Sequence, residues 1–416
     1  MNNYTQALNI LNKAKIKISD ELINSSESLN RVNSKNIYSN VNLPATNNSS
    51  FDGFAIKASD TSSLSRKNTK LFKILDNIAA GDKPVLKKIK KFHTIGINTG
   101  AILPKDMDAI VPIEQVVFLP NKLNPKFIKI DKKIKKFQNV RLKGQDFKKN
   151  DLILSKGEII ESKHIMALKA LGIIKIKVKK IPNILYFSSG NEVSNLKKLP
   201  NWKVKNSNRD YIKAIQKDFL FNFKDGGILK DKDEFVFEKK IKKMINSKTD
   251  LIITSGAVSA GRFDFIPRVV KKFKLSHFLK NVAIRPGKPV LFAKIKNKKK
   301  AIFGLPGNPI SAAACFRFFV YPYLRNSLGV KSEKPIKAIL KKTFVKKSKF
   351  THFTKSKIHT TKNGKLETEV LKGQESFKIH SLINSNIWTV FPSGKSKFKK
   401  NHIVDCFFPN HPNKIF

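Results

Sequence analysis

The chain has 416 residues, room for two to four domains at roughly 100–200 residues each. Its 83 lysines and arginines outweigh 30 acids for a formal charge of +53, yet 40% of the residues are hydrophobic and 32 are phenylalanine, which excludes a disordered polyelectrolyte. Two cysteines, Cys315 and Cys406, exclude a disulfide framework and any cysteine-rich zinc or iron–sulfur centre, and they suit a reducing compartment.

Residues 4–18 have a helical rhythm, with Leu8, Leu11 and Ile16 or Ile18 to one side. They lack the apolar core of about 7–15 residues that marks a signal peptide. A polar segment rich in Asn and Ser runs on to Pro44. From Phe51 to about Lys136 short apolar runs alternate with turns such as Ala79-Ala80-Gly81-Asp82 and Asn98-Thr99-Gly100, which reads as β structure. Residues 141–160 read as two strands around Lys149-Asn150-Asp151, and Ser162–Leu171 as a helix stopped by Gly172.

After Pro182 the texture changes. Asn183–Phe187 reads as a strand ending in Ser188-Ser189-Gly190-Asn191-Glu192, and Asn208–Leu220 as a helix capped by Asn208. Asp250–Thr254 is a strand ending in Ser255-Gly256-Ala257-Val258-Ser259-Ala260-Gly261, with a helix near Phe265–Phe273. Ala301–Phe303 is a strand ending in Gly304-Leu305-Pro306-Gly307-Asn308-Pro309, with a long helix to about Leu328. Strand, glycine loop and helix in threefold succession specify an α/β domain with a parallel sheet. Residues 332–416 return to short strands and turns, a small β domain.

The most apolar stretch, Ile310–Leu324, is broken by Arg317 and is shorter than the ~18 residues that cross a bilayer, so a cytoplasmic protein with no membrane partner is expected. The lysines are scattered in twos and threes, and their densest cluster, Lys296–Lys300, falls at an expected hairpin turn. No helix-turn-helix, zinc-finger or RNP signature accompanies them, so nucleic acid is not an expected partner. The accompanying wealth of Asn and Ile reads first as an AT-rich coding bias in which Lys fills solvent-exposed positions; the alternative is a field that steers small anions.

Ligands of an open α/β sheet bind outside the carboxyl ends of its strands, where all three glycine loops fall. Asn308 can cap the following helix with Pro309 in its first position, leaving an anion site at its start. The second loop supplies backbone donors and the hydroxyls of Ser255 and Ser259, in a pattern that is neither a nucleophile elbow nor a dinucleotide fingerprint. Micromolar binding needs about 8 kcal/mol and one helix terminus supplies at most ~2, so several loops must converge on one polyanionic ligand. Arg285 and Lys288 in Ile284-Arg285-Pro286-Gly287-Lys288-Pro289 add a bidentate clamp and a point charge. Asp264, Asp231 and Asp233 are candidates to hold Mg²⁺ against phosphate oxygens, or else a helix cap and a surface turn; Asp250 reads as structural. The eight histidines never take a metal-ligand spacing, which disfavours zinc. Asn48–Ala55 places Asp52 beside a glycine between aromatics, a tight turn whose spacing alone names no reaction.

Taken together these loops resemble the molybdopterin molybdenumtransferases, the bacterial MoeA type that also forms the C-terminal domain of gephyrin. The resemblance rests on Asn48–Ala55, Ile78–Pro84, Asn98-Thr99-Gly100-Ala101 with Pro104, Asp108 and Glu114, and Arg141, Gly144 and Asp146. It continues through Ser189–Glu192, Asn206-Ser207-Asn208, Asp250–Gly261 with Asp264, Arg285–Pro289 and Gly304–Ser311. Phe51 and Phe54 stand where the family has Met and Tyr, Ala257 replaces a second glycine, Asn191 an aspartate and Arg285 a lysine.

The resemblance implies an elongated four-domain α/β subunit. Residues 1–26 would be a helix packing with the α/β domain, 27–45 plus 140–175 a discontinuous small domain, 46–139 an inserted β-rich lobe, 176–331 the α/β molybdopterin-binding domain and 332–416 the C-terminal β domain. It implies a homodimer whose cleft is completed by the partner subunit, and insertion of molybdate into adenylylated molybdopterin with AMP released and Mg²⁺ assisting. Asp52, Thr99, Glu192, Asp264 and Arg285 match positions important for activity. Ser255, Gly256, Ser259, Gly261, Lys288, Pro306, Gly307, Asn308, Pro309 and, more weakly, Ser381 would bind the pterin nucleotide, and Asp231 or Asp233, with Asp264, the metal. Molybdopterin adenylyltransferase and enzymes that receive the finished cofactor are the implied partners.

Overall fold

The computed structural model describes residues 1–219, 221–259, 261 and 264–409. They divide into two compact units: residues 36–155 with 162–174, and Met1–Lys35 with Lys156–Glu161 and the chain from Lys175 onward. Among the described residues no helix is long and apolar enough to cross a membrane.

The first helix, α1 (Tyr4–Lys13), begins with a reciprocal capping box between Asn3 and Gln6 and buries Ala7 and Leu11. It stops at Lys13 rather than Ile18. Ile16 and Ile18 are buried all the same, from an extended segment that leads into Asp20–Asn24, a strand paired antiparallel with Lys175–Lys179. The helical period therefore misread an apolar alternation.

The unit of residues 36–155 and 162–174 carries a six-stranded lobe: β1 (Gly53–Ile56), β2 (Lys70–Ile78), β3 (His93–Ile97), β4 (Ala109–Pro112), β5 (Val117–Leu119) and β6 (Phe127–Ile130), in the order β4-β1-β3-β2-β6-β5. β1 is buried from end to end, with Phe54 and Ile56 in one core and Ala55 in another, the alternation of a strand covered on both sides. The helix α2 (Ser162–Ala170) ends as expected at Gly172, whose φ of +69° is the left-handed stop.

The other unit is built on a second six-stranded sheet: β7 (Asn183–Ser189), β8 (Asn222–Leu229), β9 (Leu251–Ser255), β10 (Leu275–Lys280), β11 (Leu291–Ile295) and β12 (Ala301–Leu305), ordered β8-β7-β9-β12-β11-β10. β8, β7, β9 and β12 run parallel, while β11 and β10 join antiparallel through the hairpin at Lys296–Lys300, so the sheet is mixed rather than purely parallel. Leu251 and Ile253 enter one core with α1 and the helices after β12, and Ile252 enters the core on the opposite face, with Phe237 and Val269. The helices are α3 (Ser207–Ala214), α4 (Glu234–Ile245), α5 (Ile266–Lys271), α6 (Pro309–Cys315) and α7 (Tyr321–Leu328), the last two joined by a π-helical turn at Phe316–Val320. α3 starts at Ser207 with Asn206 at its cap position, two residues before the expected cap Asn208, and Ile215 separates it from a short helix at Gln216–Phe219; the expected end at Leu220 lies outside the described residues.

In the remainder, β13 (Ile336–Leu340), β14 (Thr351–Thr360), β15 (Leu366–Val370), β16 (Ile387–Phe391) and β17 (Ile403–Phe407) pair in the ring β14-β15-β13-β17-β16, and β16 pairs back to β14. The ring closes into a barrel with its own core around Leu340, Phe391 and Cys406. Phe353 and Trp388 of the barrel join the main α/β core instead.

Candidate active site

Parallel strands deliver their loops to one edge, and here three loops are stitched together. Gly190 N–H donates to Leu229 O at 3.0 Å, and Gly256 N–H to Leu305 O at 2.9 Å. Gly256 has φ +97°, and a Cβ there would lie 2.3 Å from the Ser189 carbonyl oxygen, so only glycine fits between the ends of β7 and β9. Ala257 follows at φ +51°, a left-handed backbone that favours glycine. Asn208, expected as a helix cap, instead donates from Nδ2 to Ser255 Oγ at 3.1 Å and to Gly307 O at 2.8 Å, clamping the second loop to the third.

The loops enclose a cavity of about 450 Å³ that three acids line: Glu192, Asp231 and Asp264. Gly256, Ser259, Pro306, Gly307 and Asn308 line it too, as does Ser189, whose buried hydroxyl has no partner among the described residues. Asp264 accepts the Gly261 N–H at 2.7 Å and does not cap α5, whose cap position is Phe265. Asp231 accepts from Asn191 Nδ2 at 2.7 Å. An aspartate at 191 would face the Asp231 carboxylate with like charge; the asparagine donates to it. Asp233 accepts the Lys230 N–H at 2.7 Å and stands outside the cavity, so of the two acids Asp231 is the one at the site. Among the described residues no three His, Cys, Asp or Glu side chains gather as a metal cage.

A second cavity, of about 980 Å³, shares Pro289, Pro306 and Asn308 with the first and is basic: Arg285, Lys288, Lys342 and Lys372 line it. Gly287, at φ +106°, keeps its loop against α6, where a Cβ would meet Cys315 Sγ at 2.4 Å. The Arg285 guanidinium lies 4.9 Å from the centre of the Phe350 ring. His352 also lines this cavity; burial first, then Lys346 and Arg285, push its pKa down to about 4, so its imidazole is neutral near pH 7. Asn308 sits at the cap position of α6 with Pro309 first in the helix, but its side chain does not cap: Nδ2 donates to Ser376 Oγ at 3.0 Å. The Ile310 N–H is likewise taken, by Ser376 O at 3.1 Å, so the helix start is joined to the barrel.

Sequence reasoning missed the barrel's share of this cavity, Lys342, His352, Lys372 and Ser376. Against +53 of charge a further lysine carries no contrast, and only the turn residues Gly373 and Ser376 gave any local signal. Ser381 lies behind that turn, its hydroxyl donating to Gly373 O at 2.6 Å, and supports the wall without lining it. Ser255 is buried under the clamp of Asn208.

Asp52 and Thr99 meet in the other unit. Gly53 packs so closely on β4 that a Cβ would sit 2.2 Å from Val111 O, which turns the preceding residue outward. The exposed Asp52 carboxylate accepts the Thr99 N–H at 2.6 Å and Asn98 Nδ2 at 3.4 Å. Those donors, the Thr99 backbone first, hold its pKa below the usual carboxylate range.

Two family models match the chain, the MoeA N-terminal region (domain I and II) over residues 2–172 and the probable molybdopterin binding domain over residues 186–326. A molybdopterin molybdenumtransferase of Staphylococcus aureus (strain COL) is 32% identical over 385 residues, 91% of this chain and 88% of that protein. One of Staphylococcus epidermidis (strain ATCC 12228) is 31% identical over 404 residues, 96% and 94% of the two chains. The crystal structure of a molybdopterin biosynthesis MoeA protein from Pyrococcus horikosii superposes with a TM-score of 0.81 at 26% identity, covering 98% of each chain. An acidic and a basic cavity at the edge of this sheet, with likeness along nearly the whole length, place the chain in the molybdopterin molybdenumtransferase family, enzymes of molybdenum cofactor biosynthesis.

Proposed function

We infer that the chain inserts molybdate into adenylylated molybdopterin and releases AMP, acting as a homodimer. The observation that carries this reading is the pair of adjoining cavities, one lined by Glu192, Asp231 and Asp264 and one by Arg285, Lys288, Lys342 and Lys372, with Pro289, Pro306 and Asn308 common to both. An elongated ligand with phosphates at one end and an oxyanion at the other matches that polarity.

Three acids would repel a bare phosphate, so the acidic cavity calls for a cation. Mg²⁺ is held by one or two carboxylates together with substrate phosphates rather than by an all-protein cage, which is what Asp231 and Asp264 offer. Bound there, the ion would neutralise phosphate oxygens as the bond to AMP breaks. The chain's own groups do the rest. Backbone N–H groups of the second loop and the unpartnered Ser189 hydroxyl orient the phosphates, while Arg285 and Lys288 bind the molybdate dianion. Neutral His352 can hydrogen-bond an oxyanion without adding charge. Asp52, ionised and fixed by Thr99, acts in the same reaction, and the separate cores of lobe and barrel support the four-domain division expected from the sequence.

Reconstitution with adenylylated molybdopterin, molybdate and Mg²⁺ tests the reading. Asp264→Ala and Asp52→Ala should each release AMP at least tenfold more slowly than wild type; equal release by all three proteins refutes it.

A further inference from the structure

The barrel buries a lysine in an unusual setting. Lys355, on β14, is 1% exposed, and among the described residues no ion pair is formed by its ammonium. Its ammonium donates instead to three main-chain oxygens of one short segment: Gly373 O at 2.8 Å, Lys378 O at 3.1 Å and Glu375 O at 3.3 Å. Burying a charge is costly unless its donors are satisfied, and here one segment satisfies all three. The segment is tied to the same residue again through the main chain. Lys355 N–H donates to Gln374 Oε1 at 3.0 Å, and Gln374 Nε2 returns a bond to Lys355 O at 2.8 Å.

Lys355 does not line the large cavity, but Gly373, Gln374, Glu375, Ser376 and Phe377 all do. Ser376 is moreover the residue that receives Asn308 Nδ2 and the Ile310 N–H from the start of α6. The segment thus has one side fastened to a buried cation and the other to the loop after β12.

We propose that Lys355 is a positioning residue, whose buried ammonium gathers the carbonyls of residues 373–378 and so fixes the wall of the cavity that holds Arg285 and Lys288. The proposal rests on the reading of that cavity as the oxyanion site. A methionine of similar length removes the ammonium's donors and leaves Gly373 O and Lys378 O with the Ser381 hydroxyl alone and Glu375 O with the Lys378 N–H alone, so the segment loosens and the distance from wall to cations is no longer set. An arginine keeps charge and donors.

Hydrogen exchange of the full chain without substrate, together with steady-state transfer at varied molybdate, tests this. Lys355→Met should speed exchange of the 373–378 amides and raise the KM for molybdate, each at least tenfold, with kcat within threefold; Lys355→Arg should restore both to within threefold of wild type. Ser381→Ala, which removes the hydroxyl bonds to Gly373 O and Lys378 O, should shift both readings in the same direction by a smaller factor, and it decides the matter if Lys355→Met does not fold. Unchanged exchange in the variants that fold overturns the positioning role, and faster exchange with an unchanged KM overturns its link to the anion. A wild-type chain that transfers no molybdate would refute the functional reading while the exchange result stood apart from it.

Discussion

Replacing Ala257 by glycine should stabilise the chain, although it deletes a methyl group from a cavity wall. At φ +51° an L-residue costs about 1–2 kcal/mol relative to its right-handed conformation. Glycine escapes that cost but loses about 0.5–1 kcal/mol more conformational entropy on folding. Loss of a half-buried methyl removes about 0.3 kcal/mol of burial. The remainder is about 0.5 kcal/mol in favour of glycine, or a rise in Tm of about 1–2 °C for a domain of this size. Gly256→Ala next door is the counter-experiment. Its backbone is at φ +97° and its new Cβ would meet Ser189 O at 2.3 Å, so strain and overlap together should cost about 3 kcal/mol. Calorimetry on both variants, with AMP release as the activity readout, should find Ala257→Gly melting slightly higher with turnover within about twofold of wild type, and Gly256→Ala melting several degrees lower. A lower Tm for Ala257→Gly, or a neutral Gly256→Ala, would refute the backbone reasoning. A large gain in turnover for Ala257→Gly would mean that the methyl obstructs the ligand.

Gly53→Ala forces a methyl to within 2.2 Å of Val111 O between β1 and β4 and should destabilise the lobe by about 1–3 kcal/mol, seen as a lowered melting transition. Arg317 is 2% exposed and pairs with Glu333 at 2.7 Å; Arg317→Met strands that acid and should cost about 3–5 kcal/mol by denaturant titration, whereas a surface pair such as Lys337–Asp405 should be nearly silent. An NMR titration should find Asp52 below 3.8, and Thr99→Ala should raise it only slightly because the main donor is the backbone N–H. Since the folded-state value lies under the unfolded one, the contribution of Asp52 to stability is complete above about pH 3.8 and disappears as pH falls through the folded value. Burial lowers the Lys355 pKa from 10.5 to about 8, so between those values the unfolded chain binds more protons and stability should rise with pH; the rise should be smaller in Lys355→Met.

How legible the molecule was in its sequence depended on the range of the interaction. Glycine loops after apolar strands located β7, β9 and β12, because a parallel strand buried on both sides must be a continuous apolar run with a break at its end. Gly172 stopped α2 because a left-handed stop is a property of one residue. Asn208 and Asn308 were both read as caps, the commonest local use of asparagine, yet each spends its amide on a residue far away in the chain: Gly307 for one, Ser376 for the other. Nothing local announces a partner 99 or 68 residues distant. Asp231 and Asp233 were indistinguishable for the same reason, since only the fold brings Asn191 to Asp231. The hairpin that joins β11 to β12 was legible from its turn at Lys296–Lys300, but β10 beyond it was missed because an antiparallel strand added to a parallel sheet has the same apolar pattern as the strands beside it.

Ile284–Arg285 belongs to two architectures at once. It precedes the basic loop of the α/β domain, yet it is hydrogen-bonded in parallel to β14, with Arg285 in register with His352. The arginine's main chain is therefore a rung of the barrel's own ladder and its guanidinium rests on Phe350, so any shift of the barrel against the sheet would carry this cation with it.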